Sequence, residues 1–104
     1  MDTPVQTRWQ PIDPTGFDAY LALPPGGSGP GLVLWQEIFG VNRHIRAVAE
    51  QYALAGFVVL APDVFWRQQP RIELGYDEPD RQRGRAMAAA LKPAELQADI
   101  GAAV

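Results

Sequence analysis

The chain has no cysteine and a single histidine. That excludes disulfides, a thiolate nucleophile among these residues and a cysteine-based metal site. It leaves the redox compartment open. An excess of basic charge is also missing. The net charge is -3 and the pI is about 4.9, whereas a general nucleic-acid binder usually shows a basic balance. No apolar run reaches the length of a membrane span. Met1 to Gln10 lacks the basic start and apolar core of a signal peptide. A soluble cytoplasmic protein with no nucleic-acid or membrane partner is expected, and nothing in the sequence asks for a cofactor or a metal.

What remains is enough for one small domain. The chain has 104 residues, of which 47% are hydrophobic, so a core can form in a single unit over 1–104. Ten prolines and ten glycines fit a loop-rich α/β protein better than a coiled coil.

The stretch Leu32-Val33-Leu34-Trp35-Gln36-Glu37-Ile38-Phe39-Gly40-Val41-Asn42 organises the rest. Four unbroken apolar residues predict a buried strand. A carboxylate, Glu37, then stands among apolar neighbours, and a helical pattern follows at once. Open α/β sheets place their ligands in the crevice outside the carboxyl ends of such strands. Asn42 is a plausible N-cap and Gly56 a C′ stop. Between them Ile45, Val48, Ala49 and Tyr52 share one helix face, with Arg43, Arg46 and Glu50 largely on the other. Phe57 to Ala61 predicts a second buried strand, closed by Pro62-Asp63. Strand, helix, strand implies a parallel crossover whose two ends, at Glu37 and Asp63, open on one side.

Upstream, Val5, Thr7 and Trp9 alternate with polar residues, as do Phe17, Ala19, Leu21 and Leu23. The turn residues Pro11 to Gly16 lie between, so an antiparallel hairpin at a sheet edge is expected, each strand buried on one face. Pro24 to Gly31 is a flexible connection. Its Gly26-Gly27-Ser28-Gly29-Pro30 nearly reads as a nucleophile elbow, but it precedes a strand where the elbow must follow one. Ser28 is therefore read as a polar loop residue. No lysine follows these glycines, so a phosphate cradle is unsupported.

Downstream, Val64 to Pro79 is a long irregular segment of the kind that often carries function. Asp80 to Leu91 predicts a helix capped by Asp80. Its apolar face, Ala86, Met87, Ala90 and Leu91, includes Arg83, where a lone arginine needs a partner or a ligand. Pro93 opens a last helix, with Leu96, Ile100 and Ala103 as its buried face.

Together, Q-E-I-F-G-V-N at 36–42 after a buried strand, A-P-D-V-F at 61–65, Arg67-Gln68 and Asp80-Arg81-Gln82-Arg83 resemble the dienelactone hydrolase family of α/β-hydrolases, from about Phe17 onward. The resemblance implies hydrolysis of enol-lactones and related esters by a Cys-His-Asp triad. It implies that Glu37 is the acid that contacts and helps activate the nucleophile thiol. It makes the Ile38 N–H an oxyanion-hole donor and Arg83 the arginine that grips the substrate carboxylate. Met87 stands where the family has a site tyrosine. Physical chemistry allows each role. Glu37 between Gln36, Ile38 and Phe39 should be partly desolvated, and desolvation makes a carboxylate a better proton acceptor near neutral pH. A backbone N–H at such a turn can stabilise an oxyanion, and an arginine can hold a carboxylate with two parallel hydrogen bonds. The alternatives are a structural acid at Glu37 and a buried ion pair of Arg83 with Asp63 or Glu37.

The resemblance also defines what is missing. The family's nucleophile elbow, aspartate and histidine follow a strand that comes later than Val104. The only histidine, His44, falls in the first turn of a helix and does not match the catalytic one. The expected fold is thus α/β, a partial α/β-hydrolase: an N-terminal antiparallel hairpin, a parallel strand-helix-strand and two further helices. The chain is either the N-terminal half of such a hydrolase, completed by a C-terminal half or a second chain, or a non-catalytic half-domain that binds an acidic small molecule or a partner. A half-Rossmann nucleotide site is disfavoured, because the turn at 36–42 has one glycine and a carboxylate where a phosphate would sit. The free side of Leu32–Trp35 invites pairing with another chain, including a second copy. An isolated 104-residue product is expected to be weakly stable, or to dimerise, swap or aggregate. Its size in solution and its melting curve check this, and a monodisperse, high-melting monomer would refute it.

Overall fold

A computed structural model describes residues 5–14 and 16–103. Thr15 of the expected turn, Met1–Pro4 and Val104 lie outside the described residues, as do the side chains of Asp13 and Ala103. The order of elements is β1 (Gln6–Asp13), β2 (Phe17–Leu23), β3 (Gly31–Val33), α1 (Arg43–Leu54), β4 (Val58–Pro62), α2 (Glu78–Ala89) and α3 (Pro93–Ala103). The sheet runs β1-β2-β4-β3. β1 and β2 form the antiparallel hairpin, β2 pairs antiparallel with β4, and β3 pairs parallel with β4.

Pro11 has no N–H to give a ladder, which an edge strand such as β1 tolerates, and the register shifts just after it. β2 departs from expectation. Alternation suggested one buried face, but Phe17 and Ala19 to Ala22 are all buried, on both faces. The reason is its place between β1 and β4. Tyr20 and Ala22 look toward α1, while Phe17 stacks on Trp66 with ring centroids 5.4 Å apart. β3 is shorter than Leu32–Trp35. Its ladder ends with Leu34 N–H donating to the Leu60 carbonyl at 2.9 Å, and Trp35 turns out to 40% exposure. The side of β3 away from β4 carries no strand among the described residues.

α1 starts and stops where its caps predict. Asn42 Oδ1 accepts from Ile45 N–H at 3.0 Å, and Gly56 takes φ +108° just beyond the helix. Its buried face is Ile45, Ala49 and Ala53, not Tyr52, which is exposed. Alanines there let the helix lie close on Ala22, Val59 and Ala61 of the sheet, forming the first core. A second core contains Phe39, Val64, Phe65, Ile72, Leu74 and Met87. Most of it comes from loops.

The two later helices correct the expectation in detail. Asp77, not Asp80, caps α2, accepting from Asp80 N–H at 3.0 Å. Asp80 accepts instead from Gly75 N–H at 2.7 Å. The buried residues of α2 are Gly84 and Met87, and Ala86, Ala90 and Arg83 are exposed. In α3 the buried residue is Asp99 and not Ile100. Asp99 accepts from Arg67 at 2.8 Å and from Trp66 Nε1 at 3.3 Å. A charged anchor outweighs the apolar stripe, because a buried carboxylate needs partners and these two are at hand.

Asp63, at the end of β4, is fully buried. One carboxylate oxygen accepts from Arg71 N–H at 2.5 Å. Burial pushes this carboxyl above its ordinary 3.8, and nearby Asp18 adds to the rise, against the backbone N–H groups of Arg71 and Phe65 and the Arg71 charge. A carboxyl raised in the folded state holds more protons folded than unfolded between 3.8 and its folded pKa. Its contribution to stability therefore falls as pH rises through that window. Asp63→Asn removes the titration and keeps an acceptor for Arg71. The stability of the variant minus that of the parent should rise from about pH 4 to about pH 7 in urea unfolding, and a falling difference would contradict the assignment.

Candidate active site

The site forms where the β3–β4 ladder stops. Beyond Leu34 the strands part, and the chain makes a tight turn from Gln36 to Val41. Gly40 N–H donates to the Glu37 carbonyl at 3.3 Å. Gly40 has φ +84°, and a Cβ there would collide with the Ile72 carbonyl, so only glycine serves.

The turn is fixed from outside by the segment after β4. Leu74 N–H donates to the Phe39 carbonyl at 2.9 Å. Arg46 reaches from α1 to the Val41 carbonyl at 3.0 Å and to Glu73 at 2.8 Å. Asn42 Nδ2 donates to the Tyr76 hydroxyl at 3.0 Å, and the Tyr76 ring meets Phe39 edge-on at 4.5 Å. On the other side Gly84 of α2 sits against the Ile38 carbonyl, leaving no room for a Cβ.

The strand ends at Glu37 and Asp63 do open on one side. Gln36, Glu37, Ile38, Val64, Phe65, Ala88 and Leu91 line a cavity of about 180 Å³. Asp63 does not line it, and its carboxylate accepts from the Arg71 N–H. Among the described residues nothing accepts from the Ile38 N–H, which leaves that donor available, as an oxyanion donor must be. Glu37 is exposed rather than desolvated, because no further layer covers the turn among the described residues. Neither proposed ion pair of Arg83 forms. Its guanidinium lies outside the cavity and bonds to Gln69 at 2.6 Å. The structure thus brings Glu37 and Ile38 together and leaves Arg83 one residue from the Gly84 contact. Ser28 and His44 are both exposed, and no cluster of potential metal ligands occurs among the described residues.

A second, open cavity of about 270 Å³ continues along Trp35, Gln36, Val64, Leu91, Leu96 and Ile100. It shares Gln36, Val64 and Leu91 with the first.

Sequence reasoning overlooked Gly84. Its signal was present: a glycine inside a helix costs about 1 kcal/mol against alanine, so it usually marks a close contact. Gly84→Ala should lose about 1–3 kcal/mol by pushing α2 off the turn. Gly101→Ala, with open space around it, should be neutral or gain up to about 1 kcal/mol. Thermal or urea unfolding of the two variants checks this, and a neutral Gly84→Ala would contradict the contact.

Comparison with known proteins bears on this geometry. The model of the dienelactone hydrolase family matches residues 17–104. A carboxymethylenebutenolidase of Pseudomonas sp. (strain P51) is 43% identical over 89 residues, covering 85% of this chain and 37% of that protein. Carboxymethylenebutenolidase 1 of Cupriavidus pinatubonensis is 44% identical over 72 residues, covering 69% of this chain and 30% of that protein. A crystal structure from Klebsiella pneumoniae, assigned as a dienelactone hydrolase, superposes with a TM-score of 0.74 at 28% identity, over 94% of this chain and 41% of that one. The chain spans roughly a third of the length of the curated relatives it matches.

Proposed function

Because the chain belongs to the dienelactone hydrolase family, we propose that it forms the oxyanion side of an enzyme hydrolysing a lactone or ester bond in a carboxylate-bearing small molecule. The observation that carries the reading is the unengaged Ile38 N–H in a rigid turn, beside an apolar-walled cavity with Glu37 at its rim. In the proposed reaction a nucleophile attacks the substrate carbonyl, and Ile38 N–H stabilises the oxygen as it becomes negative. Glu37 contacts the nucleophile's proton and favours the reactive anion. Arg83 holds the substrate carboxylate. Its guanidinium has one hydrogen-bond partner among the described residues, Gln69, and so keeps donors free for a bidentate grip.

The nucleophile, its histidine and its aspartate must then come from polypeptide other than these 104 residues, as a C-terminal half or a second chain. The side of β3 that carries no strand among the described residues gives such a partner, or a second copy, an edge to pair with, and the open cavity at Trp35, Leu96 and Ile100 gives it an apolar surface. The second reading is a half-domain that binds an acidic small molecule or a partner without catalysis. The chain's only serine and histidine, Ser28 in the loop before β3 and His44 in the first turn of α1, do not stand where a nucleophile elbow and its histidine would, and this favours it for the chain taken alone.

Arg83→Leu separates these roles in the hydrolysing assembly. For a carboxylate-bearing lactone, KM should rise about 10–100-fold, since a charged bidentate contact is worth a few kcal/mol. For a neutral ester, kinetics should stay within about twofold. Equal losses on both substrates, or none on either, would overturn the substrate role of Arg83.

A further inference from the structure

We propose that Gln36 is the positioning residue of the oxyanion turn, its side-chain amide continuing the β3–β4 ladder past the point where the backbones separate. The inference rests on the hydrolase reading for its functional meaning and on geometry for its substance. Gln36 Oε1 accepts from Val64 N–H, the first residue past Asp63, at 3.0 Å. Gln36 Nε2 donates to the Glu37 carbonyl at 3.1 Å. The two bonds dictate the orientation of the amide, since a flip would set N–H against N–H and oxygen against oxygen. A side-chain amide thus does between the two strand ends what a peptide group does within the ladder.

The Glu37 carbonyl and the Ile38 N–H belong to one peptide plane. In a trans peptide they point in opposite directions. Gln36 and Gly40 both hold the carbonyl, so they aim the N–H away from themselves. Gly40 holds it at a long 3.3 Å, and Gln36 supplies the shorter bond. Through Val64 the same side chain fixes the width of the crevice, because Gln36 and Val64 both line the cavity and its open neighbour. Glu37 can therefore be exposed and still held in place: its backbone is tied even though its carboxylate is not.

Two variants divide the functions of the amide. Gln36→Glu keeps an acceptor for Val64 N–H and loses the donor to Glu37. Gln36→Met keeps the length and loses both. In the purified protein, the Glu37 carbonyl-carbon and Ile38 amide-nitrogen resonances should move in both variants. Exchange of the Val64 amide should quicken about fivefold in Gln36→Met only. Amides of the β4 core should be unchanged in both. In the hydrolysing assembly Gln36→Glu should lower kcat about tenfold or more with KM within about twofold, as for a misaimed oxyanion donor. Glu37 and Ile38 resonances that stay in place in both variants would overturn the proposal, as would their movement with kcat unchanged. If the parent hydrolyses no lactone or ester, the hydrolase reading fails, and the resonances alone decide the positioning role.

Discussion

A buried carboxylate at the end of β4 governs how the second half of the chain is laid down. Asp63 is out of water, and its carboxylate holds the Arg71 backbone N–H. That bond keeps Arg71 at φ +55°, the one non-glycine residue described with positive φ. The Arg71 side chain pays back part of this strain. It binds Asp18 of β2 at 2.7 Å and lies over the Trp9 ring of β1 at 4.8 Å. The irregular segment after β4 is thereby tied to three strands. From that fixed point it delivers Ile72 and Leu74 to the second core, and Glu73 and Tyr76 to the turn at 36–42. The turn is held in shape by residues some thirty positions downstream, and they reach it because Asp63 redirects the chain.

Such a design separates rigidity from coverage. Backbone groups of the turn are held by Gln36, Gly40, Leu74, Arg46 and Gly84, while the candidate side chains, Glu37 on the turn and Arg83 on α2, are exposed. Preorganised donors are worth most in a dry, closed site. The cavity here is open, with apolar walls from Ile38, Phe65, Ala88 and Leu91. Beside it Trp35 and Ile100, each 40% exposed, line the second cavity. The two cavities share Gln36, Val64 and Leu91, so polypeptide seated across both would also cover the turn and desolvate Glu37.

Much of this was legible in the sequence, for identifiable reasons. α1 was readable because its signals are local: Asn42 and Gly56 lie at its two ends and act on its own backbone. The parallel β3–α1–β4 unit and the hairpin followed from hydrophobic period and turn chemistry. What local pattern could not show was competition between alternatives several residues apart. Asp77 and Asp80 are both good caps, and the winner is fixed because Gly75 N–H claims Asp80. The helical wheel placed Arg83 beside Met87, but Gly84 is what the turn touches, so α2 is rotated to bring glycine inward. Ile100 looked buried until Arg67 and Trp66 drew Asp99 in. Among the site residues, the motif made Glu37 and Ile38 conspicuous, whereas the desolvation expected for Glu37 needs a layer that these residues do not contain.

If these residues carry the oxyanion half of a hydrolase, the nucleophile lies on other polypeptide. The deciding measurement takes one sample from the native source and reads both its intact mass under denaturing conditions and its hydrolysis of a dienelactone. Hydrolysis should accompany a species well above 11.4 kDa, or a second chain that copurifies. Hydrolysis by a lone 11.4 kDa chain, or a larger assembly that hydrolyses no lactone or ester, would contradict it.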